Sequence, residues 1–367
     1  MTYFENAYLG RRVLVTGHTG FKGSWLSTWL ESLGAEVAGF SIDIPTTPSN
    51  FALLRLEKRV RHYLGDIRDL ERLTQVIDEF RPEIIFHLAA QPLVRGSYKD
   101  PVTTFQTNTM GTLNLLECVR VRPWIEATVL ITSDKVYRND EWCWGYRETD
   151  ALGGHDPYSG SKGCAELVAY SYYHSFLSNT PTRMVTTRAG NVIGGGDWAD
   201  DRIVPDCMRA WSEGKTVDIR NPHATRPWQH VLEPLGGYLW LGSRLLSGYD
   251  GLDGEAFNFG PDTNVDQTVA ELLAAMAARW PGVEWNATEG HDKDAPEATL
   301  LKLSCDKALF YLGWHAVLKF PEVVALTVDW YHTWHSGEKD LHGYTLSQID
   351  QYQGLARERG LPWVQQG

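Results

Sequence analysis

The chain has 367 residues, of which 43% are hydrophobic and 22% charged, and this composition indicates one large or two closely joined folded domains rather than a disordered chain. Its formal net charge of -12 argues against nonspecific binding to nucleic acid or to anionic membranes, because phosphate-rich surfaces would repel it. The five cysteines form no Cys-x-x-Cys pair, and no segment has the apolar length of a leader or a membrane span, so we expect no metal site, no disulfide framework and a place in the reducing cytoplasm.

The first half of the chain alternates short β-rich runs with helical patterns. The predicted strands are compact and apolar, as strands buried on both faces must be, at 12–16, 36–42, 83–88, 127–132 and 183–187. The predicted helices carry apolar residues at three-to-four spacing, at 22–33, 69–80, 102–121 and 156–176. This alternation predicts an α/β fold, with a Rossmann-type doubly wound parallel sheet.

A glycine-rich motif, Gly17-His-Thr-Gly20-Phe-Lys-Gly23, follows the first predicted strand and opens the first predicted helix. That context is the one a dinucleotide-binding fingerprint requires. Glycines let the backbone approach a pyrophosphate, and the helix N-terminus supplies free amides. A merely tight strand-to-helix turn is the alternative. The predicted cofactor contacts in this motif are Gly17, His18, Gly20, Phe21, Lys22 and Gly23.

Two acidic residues extend the predicted cofactor site. Asp43 ends the second predicted strand, where a carboxylate can bind an adenosine ribose and would repel a 2'-phosphate, so NAD is favoured over NADP. Residues 41–50 contain no Arg or Lys to hold that phosphate, although Asp43 could also be a turn or cap residue. Asp66, followed by Ile67, could approach the adenine, with a plain helix N-cap as the alternative.

Small residues end the next predicted strand, at Leu88-Ala89-Ala90-Gln91. They would leave room for a flat cofactor over the sheet edge, and ordinary strand packing is the alternative. We add Asn108, from the following predicted helix, to the cofactor contacts.

Tyr158 and Lys162 stand four residues apart, so that they share one face of a predicted helix. A nearby ammonium and a cationic nicotinamide would lower the pKa of the Tyr158 phenol, which could then remove a proton from a sugar hydroxyl during hydride transfer. The Tyr-x-x-x-Lys pattern is weak by itself. Its weight comes from the fingerprint and from Ser133, whose hydroxyl ends a predicted strand and could orient the same oxygen.

The fingerprint, Ser133, Tyr158 and Lys162 together resemble the extended short-chain dehydrogenase/reductase family, across nearly the full chain. The segment Thr132-Ser-Asp-Lys-Val-Tyr137 narrows the match. It resembles the Thr-Asp-Glu-Val-Tyr of dTDP-glucose 4,6-dehydratases, with Ser for Thr and Lys for Glu, and the Ser-Asp-Lys version is similar to CDP-glucose 4,6-dehydratases. Further motifs similar to the latter are His18-Thr-Gly-Phe-Lys-Gly-Ser24, Gly153-Gly-His-Asp-Pro-Tyr158, Gly190-Asn-Val-Ile-Gly-Gly-Gly-Asp-Trp198 and Arg226-Pro-Trp-Gln-His-Val-Leu-Glu-Pro234.

The resemblance implies a reaction on a nucleotide-linked glucose such as CDP-glucose. Tyr158 deprotonates the 4-hydroxyl while NAD takes the hydride, water is lost across carbons 5 and 6, and the hydride returns to carbon 6. Asp134 is implied as the acid for the 6-hydroxyl, which requires burial to hold its proton near neutrality. Lys135 would be the base at carbon 5 if burial kept it neutral, but the related dTDP enzymes have a carboxylate there, so the base stays open. A surface ion pair of Asp134 with Lys135 is the alternative.

A nucleotide diphosphate bound to an acidic protein needs local cations and amides. Arg226 is our first choice, and Arg202 and Arg188 lie in matching motifs. Arg95 is a weaker candidate, and Asn191 could offer an amide. Each arginine could instead form a structural ion pair. The predicted substrate contacts are Arg95, Ser133, Asp134, Lys135, Asn191, Arg202 and Arg226.

Beyond about residue 190 the sequence changes to loops rich in Gly, Pro, Trp and Asp. We predict an NAD-binding Rossmann domain over residues 1–189, to which 232–263 returns because 255–260 again has the pattern of a strand. Residues 190–231 and 264–367 would form a smaller, mixed C-terminal substrate-binding domain.

Two other functions share much of this pattern. An NAD-dependent sugar epimerase or reductase would need Tyr158 and Lys162 but not Asp134, and a non-catalytic NAD-binding regulator would keep the fold without turnover. The preference for cytosine rests on resemblance alone. Family members commonly pair through helices such as the one bearing Tyr158, so a homodimer or a dimer of dimers is expected.

Overall fold

The centre of the molecule is a parallel sheet. The structure is a computed structural model that describes residues 1–219, 221–262, 267–287 and 301–365. The strands of this sheet are β1 Arg12–Thr16, β2 Glu36–Ser41, β3 Arg61–Leu64, β4 Ile84–His87, β5 Ala127–Ile131, β6 Arg183–Arg188 and β7 Ala256–Asn258. They lie in the order β7-β6-β5-β4-β1-β2-β3, and every neighbouring pair is parallel. The predicted Rossmann-type doubly wound sheet is confirmed.

The strand order reverses at the centre of the sheet. Val13 of β1 pairs with Val37 of β2 on one side and with Ile84 of β4 on the other. After the carboxyl ends of β1 and β4 the chain therefore turns in opposite directions. Open α/β sheets bind ligands in the crevice between two such strand ends.

β3 and β7 extend the sheet beyond the five strands predicted in the first half of the chain. β3 lies at the sheet edge, where Arg61 and Leu64 are exposed, so it lacks the continuous apolar run of a strand buried on both faces. β7 pairs with β6, with Ala256 opposite Thr186. This confirms that a strand within 255–260 returns to the sheet.

Helices cover both faces of the sheet. Those of the described residues are α1 Phe21–Ser32, α2 Asn50–Leu53, α3 Leu70–Phe80, α4 Val94–Lys99, α5 Pro101–Phe105, α6 Gly111–Arg120, α7 Pro157–Tyr172, α8 Ile203–Ser212, α9 Leu232–Leu246, α10 Val269–Ala277, α11 Asp306–Leu312, α12 Phe320–His335 and α13 Leu341–Glu358. Short antiparallel pairs join Thr2–Tyr3 to Val364–Gln365 and Thr225–Arg226 to Gln267–Thr268. Short parallel pairs join Val192–Ile193 to Gln229–His230 and Val217–Ile219 to Trp285–Ala287. Among the described residues, no helix is both long and apolar enough to cross a membrane.

The helix predicted over 102–121 is interrupted. A π-helical turn, Gln106–Met110, separates α5 from α6. Just after it, a Cβ at Gly111 would lie 2.6 Å from Cγ2 of Ile67, so the chain packs closely on the loop after β3. Apolar spacing could not reveal the interruption, because a single wider turn hardly changes which residues face the core.

Two hydrophobic cores lie on opposite faces of the sheet. Val13 and Val15 of β1 belong to one core, together with Trp29 of α1. Leu14 of β1 belongs to the other, together with Leu115 of α6. The first core also takes in residues of α9, α12 and α13, so the C-terminal helices pack on the same face of the sheet as α1.

Candidate active site

The glycine-rich turn after β1 is too close to its neighbours for side chains. Gly17 has φ +75°, and a Cβ there would lie 2.7 Å from the amide nitrogen of Ala89. A Cβ at Gly23 would lie 2.2 Å from the carbonyl oxygen of Gly17. At Gly20, the N-cap of α1, the nearest described atom would be 3.4 Å away. Packing therefore requires glycine at 17 and 23, whereas glycine at 20 leaves space for a ligand at the N-terminus of α1.

His18 turns away from this space. Its Nδ1 lies 2.9 Å from Oγ of Ser41 and its Nε2 lies 2.7 Å from Nδ1 of His62. A Cβ at Gly39 would lie 2.0 Å from the His18 ring. Burial lowers the pKa of His18 to about 3, so the ring is neutral and anchors the turn to β2 and β3. Only the backbone of His18 can then serve as the predicted cofactor contact.

Asp43 and Asp66 have different surroundings. Asp43 is exposed two residues beyond β2, and its carbonyl oxygen accepts a hydrogen bond from Thr19 Oγ1 at 2.7 Å. Asp66 pairs with Arg68 at 2.6 Å, and this hydrogen-bonded pair lowers the pKa of Asp66. The N-cap of α3 is Asp69, which accepts from the amide of Arg72 at 2.9 Å. The N-cap alternative for Asp66 is therefore wrong, and its neighbour Ile67 is buried.

The loop after β4 is tied to α7 through Asn108. The amide of Leu88 donates to the carbonyl of Thr16 at 3.0 Å, which keeps this loop beside the glycine-rich turn. Asn108 Oδ1 accepts from the amide of Gln91 at 2.8 Å, and its Nδ2 donates to Ser161 Oγ at 2.9 Å. Asn108 thus fixes the distance between the small residues Leu88 to Gln91 and the helix that carries Tyr158.

Tyr158, Ser133 and Asp134 form a connected set. Asp156 caps α7 by accepting from the amide of Ser159 at 3.0 Å, which places Tyr158 in the first turn. The Tyr158 side chain is buried and hydrogen-bonds with Ser133. Ser133 Oγ in turn donates to Asp134 Oδ1 at 3.0 Å. The structure therefore brings together these predicted catalytic residues from β5 and α7.

The protein alone does not activate the phenol. Burial raises the pKa of Tyr158, and the charge of Asp134 adds to this, although the hydrogen bond with Ser133 lowers it. Lys162 is buried and donates to the carbonyl of Ile131 at 3.3 Å. Burial and the positive charge of Lys22 lower the pKa of Lys162 to about 8. In the protein alone, burial outweighs the hydrogen bond with Ser133 and the positive charge of Arg202, so a lowered pKa of Tyr158 beside a cationic nicotinamide stays a prediction.

Asp134 and Lys135 differ in burial. Asp134 is 4% exposed, which rules out the surface ion pair as its role. Lys135 is exposed, and its amide donates to Ser133 Oγ at 3.2 Å. The burial expected to keep Lys135 neutral is therefore absent in this structure, because the short 3-10 turn Asp134–Val136 directs successive side chains to opposite sides.

Burial also affects the amine of Lys22, in the first turn of α1. Burial and the positive charge of Arg202 lower its pKa to about 8, while Asp134 and Asp197 act in the opposite direction. Sequence reasoning placed Lys22 only in the cofactor fingerprint.

The candidate arginines are held in distinct ways. Arg188 is buried and bonds Glu166, with Nε 2.7 Å from Oε1, so it forms the structural ion pair that was the alternative to a diphosphate contact. Arg202 bonds buried Asp197 at 2.8 Å, and Tyr158 is among the groups that raise the pKa of Arg202. The Arg202 guanidinium is thus electrostatically linked to Tyr158.

The other predicted substrate contacts lie in the surrounding loops. Arg226 donates to the carbonyl of Thr225 at 2.8 Å, and Arg95 pairs with Asp201 at 2.9 Å. Asn191 has φ +52° and follows Gly190 in the loop after β6.

Sequence reasoning missed Tyr238, a buried residue of α9. Burial raises its pKa, and Asp134 and Tyr158 are among the charges that contribute. Tyr238 is thus a buried phenol that is electrostatically linked to Asp134 and Tyr158. The apolar pattern of α9 conceals it, because an aromatic residue on a core face is usually only packing.

Comparisons with known proteins agree with this geometry. The model of the GDP-mannose 4,6 dehydratase family matches residues 14–327. The chain is 48% identical to CDP-glucose 4,6-dehydratase of Salmonella typhimurium, over 91% of this chain and 94% of that protein. It is 26% identical to dTDP-glucose 4,6-dehydratase of Xanthomonas campestris, over 92% of this chain and 98% of that protein.

Solved structures with the same fold include sugar-nucleotide enzymes. UDP-glucose 4-epimerase of Thermus thermophilus, solved as a complex with NAD, superposes with a TM-score of 0.73 at 26% identity, over 88% of this chain and 99% of that chain. dTDP-glucose 4,6-dehydratase of Bacillus anthracis, also solved with NAD, superposes with a TM-score of 0.72 at 23% identity, over 90% of this chain and 100% of that chain.

Proposed function

Because this chain belongs to the GDP-mannose 4,6 dehydratase family, we propose that it is an NAD-dependent CDP-glucose 4,6-dehydratase that forms CDP-4-keto-6-deoxyglucose and water. The observation that carries the choice of a dehydratase is the buried carboxyl group of Asp134, hydrogen-bonded to Ser133 beside Tyr158. An epimerase would not need this acid. The choice of CDP-glucose is supported by the 48% identical relative.

The residues present fit a dinucleotide. The turn at Gly17 and Gly23 has no room for side chains, and Gly20 leaves space at the start of α1, as a pyrophosphate requires. The exposed carboxylate of Asp43 is suited to the adenosine ribose. When bound, NAD would take a hydride from carbon 4 of the glucose and return it to carbon 6.

Tyr158 and Ser133 would act on the 4-hydroxyl. The phenol removes the hydroxyl proton, and Ser133, already hydrogen-bonded to it, holds the same oxygen. Since burial raises the pKa of Tyr158, this step needs additional positive charge near the phenol. Lys162 and the nicotinamide are the groups that would supply it.

Asp134 and Lys135 would complete the elimination. Asp134 would protonate the departing 6-hydroxyl, and its buried carboxyl group lies next to Ser133, whose Oγ donates to it at 3.0 Å. Lys135 follows it directly and would remove the proton from carbon 5. Lys135 is exposed in the protein alone, so the bound sugar would have to cover it.

Arg202, Arg226 and Asn191 would hold the substrate diphosphate. Arg202 already shares the electrostatic surroundings of Tyr158, which supports it as the cation nearest the sugar. Arg95, paired with Asp201, would contribute from the edge of the site.

The test is to incubate the purified protein with NAD and, in separate reactions, CDP-glucose or dTDP-glucose. We expect a 4-keto-6-deoxy product from CDP-glucose, with deuterium placed at carbon 4 recovered at carbon 6. Tyr158→Phe should fold and bind NAD but lose at least about 100-fold in rate, as removal of a general base does. A carbon-4 epimer that keeps its 6-hydroxyl would indicate an epimerase, and bound NAD without reaction of either sugar would indicate a regulator.

The proposal includes a homodimer formed through α5 and α7, which pack together. Their outer face carries exposed apolar side chains, among them Val102, Phe105 and Leu167. An apolar concavity opens beside them, lined by Pro101, Val102, Phe105, Gln106, Thr109 and Met110. An apolar face of this kind is typical of a self-association surface. We also propose a cytoplasmic location, where the five free thiols would stay reduced.

A further inference from the structure

Gly190 and Asp134 meet at the carboxyl edge of the sheet. β5 and β6 are neighbours, with Ile131 paired to Thr187, so the residues that follow the two strands lie side by side. A Cβ built on Gly190 would lie 1.8 Å from Oδ2 and 2.1 Å from Cγ of Asp134. The carboxyl group of Asp134 thus occupies the space in which any other residue at position 190 would carry its Cβ.

Backbone conformation does not explain the glycine. Gly190 is not among the residues with positive φ, so its φ does not require glycine. A methyl group added at position 190 would instead collide with the carboxyl group of Asp134.

The loop that carries Gly190 is held in place. Buried Gln229 donates from Nε2 to the carbonyl of Gly190 at 2.9 Å, and its amide donates to the carbonyl of Asn191 at 3.2 Å. The loop therefore cannot retreat without breaking these bonds. An added side chain at 190 would displace the carboxyl group instead.

We propose that Gly190 commits this site to dehydration, because its missing side chain lets the carboxyl group of Asp134 stand beside Ser133 and Tyr158. This inference rests on the proposed function. From that position Asp134 gives its proton to the 6-oxygen as the bond from carbon 6 to oxygen breaks. The base takes the proton of carbon 5, and the electron pair of that C–H bond forms the double bond between carbons 5 and 6, so that water leaves.

An alanine at position 190 separates the two halves of the reaction. It would move the carboxyl group of Asp134, which accepts a hydrogen bond from Ser133, while leaving in place the side chains of Tyr158 and Lys162, which act on carbon 4. We expect Gly190→Ala to reduce bound NAD when CDP-glucose is added but to form the 4-keto-6-deoxy product at least about 100-fold more slowly, the effect of losing a general acid. Gly190 is thus a positioning residue that acts through Asp134.

The experiment follows reduced nicotinamide by absorbance and the sugar product by chromatography in the same reactions. Gly354→Ala is the matched control, because a Cβ there would have no described atom within 4 Å and the site lies far along α13. Asp134→Ala should reproduce the behaviour of Gly190→Ala. Near-normal dehydration by Gly190→Ala overturns the inference, as does loss of both cofactor reduction and product with NAD still bound.

Melting temperatures test the contact without turnover. If the only obstacle is the carboxyl group, Gly190→Ala lowers the melting temperature of the wild-type protein but not that of Asp134→Ala, since neighbouring residues couple in a double-mutant cycle. If Gly190→Ala lowers the melting temperature equally in the wild-type protein and in Asp134→Ala, the inference is overturned. If Gly190→Ala does not fold, the variant that carries both Gly190→Ala and Asp134→Ala tests the contact. It is expected to fold, because the carboxyl group that blocks the added methyl group is gone.

Failure of the proposed function has a different signature. A wild-type protein that makes no dehydrated product refutes the proposed function and the dehydration role of Gly190 with it. The melting temperatures then decide separately whether Gly190 makes room for Asp134.

Discussion

At the scale of single residues, burial sets the protonation of the site more strongly than neighbouring charge does. It lowers the pKa of Lys22 and Lys162 to about 8 each and raises that of Tyr158. Each ammonium disfavours the other, because like charges in a poorly hydrated site repel. The acid–base state of the site therefore belongs to the group of residues rather than to Tyr158 alone.

Lys22→Met should raise the pKa of Lys162. Removal of one positive charge relieves the repulsion that lowers this pKa, and we expect a rise of about 1 unit. Carbon NMR of labelled lysines measures it directly, and the limb of the pH–rate profile that reports Lys162 should move to higher pH. Lys22→Arg is the control, because it keeps the positive charge and should not raise the pKa of Lys162 above its wild-type value. An unchanged Lys162 pKa in Lys22→Met would contradict the prediction.

Asp43→Asn should weaken selection of NAD over NADP. The exposed Asp43 carboxylate would lose its charge, and with it both a strong hydrogen bond to the ribose and the repulsion of a 2'-phosphate. We expect affinity for NAD to fall about 10-fold, equivalent to about 1.4 kcal/mol, with NADP affected less, as measured by calorimetry. Asp66→Asn is the comparison, since Asp66 is already neutralised by Arg68. Equal binding of NAD by Asp43→Asn and wild type would refute this role.

At the scale of elements, Glu233 joins three parts of the C-terminal half. It lies in α9 and is 1% exposed. Its carboxyl group accepts from the amide of Val317 at 2.9 Å and from the phenol of Tyr352 of α13 at 3.0 Å, and it also accepts from the amide of Leu318. One acidic residue thereby connects α9, the segment before α12 and α13.

Glu233→Gln should destabilise the protein and change its pH dependence. The amide has one acceptor oxygen for backbone donors that use both oxygens of Glu233, so the free energy of unfolding should fall by about 1–3 kcal/mol. Burial raises the pKa of Glu233 to about 7, although its hydrogen bonds lower it.

The direction of the pH effect follows from that raised pKa. The folded protein holds a proton that the unfolded chain releases, so the contribution of Glu233 to stability is full below its ordinary pKa of about 4.3. It is lost as the pH rises through about 7. Urea unfolding across this range should show the fall in wild type and in Glu358→Gln, an exposed control, but not in Glu233→Gln. If the free energy of unfolding of wild type, Glu358→Gln and Glu233→Gln changed with pH in the same way, the prediction would be contradicted.

At the scale of the whole molecule, the two ends of the chain close on each other. Thr2–Tyr3 pairs with Val364–Gln365, and the rings of Phe4 and Trp363 stack 4.8 Å apart. The C-terminal helices share a core with α1. The residues predicted to form a separate substrate-binding domain are therefore packed in part on the Rossmann sheet itself.

Leu167→Glu should convert a dimer into monomers. The side chain is 59% exposed on α7, and in a symmetric interface each protomer would bury one unpaired charge, which is costly. Sedimentation velocity measures the change. Phe310→Glu on α11 is the control, because Phe310 is 81% exposed and lies outside the proposed interface. A Leu167→Glu protein that remains dimeric would refute this interface.

The order of residues along the chain was enough to predict the sheet, the glycine-rich turn and the Tyr158 helix. Each of these depends on local spacing, such as buried apolar runs, glycines between a strand and a helix, or two residues four apart. The family resemblance added Asp134 and the reaction. Strand ends predicted in this way lie within one or two residues of those observed, because the same apolar run that forms a strand also limits it.

Contacts between distant segments were decided only by the tertiary structure. The motif around Arg188 suggests a phosphate contact, but in the structure Arg188 is paired with Glu166 of α7. Lys135 is a candidate buried base from the sequence, but in the structure its side chain is exposed. The need for glycine at position 190 is explained only by Asp134, in the turn after the neighbouring strand. Burial, ion pairing and close contacts depend on which segments meet in space. The spacing of residues along the chain does not show which distant segments will do so.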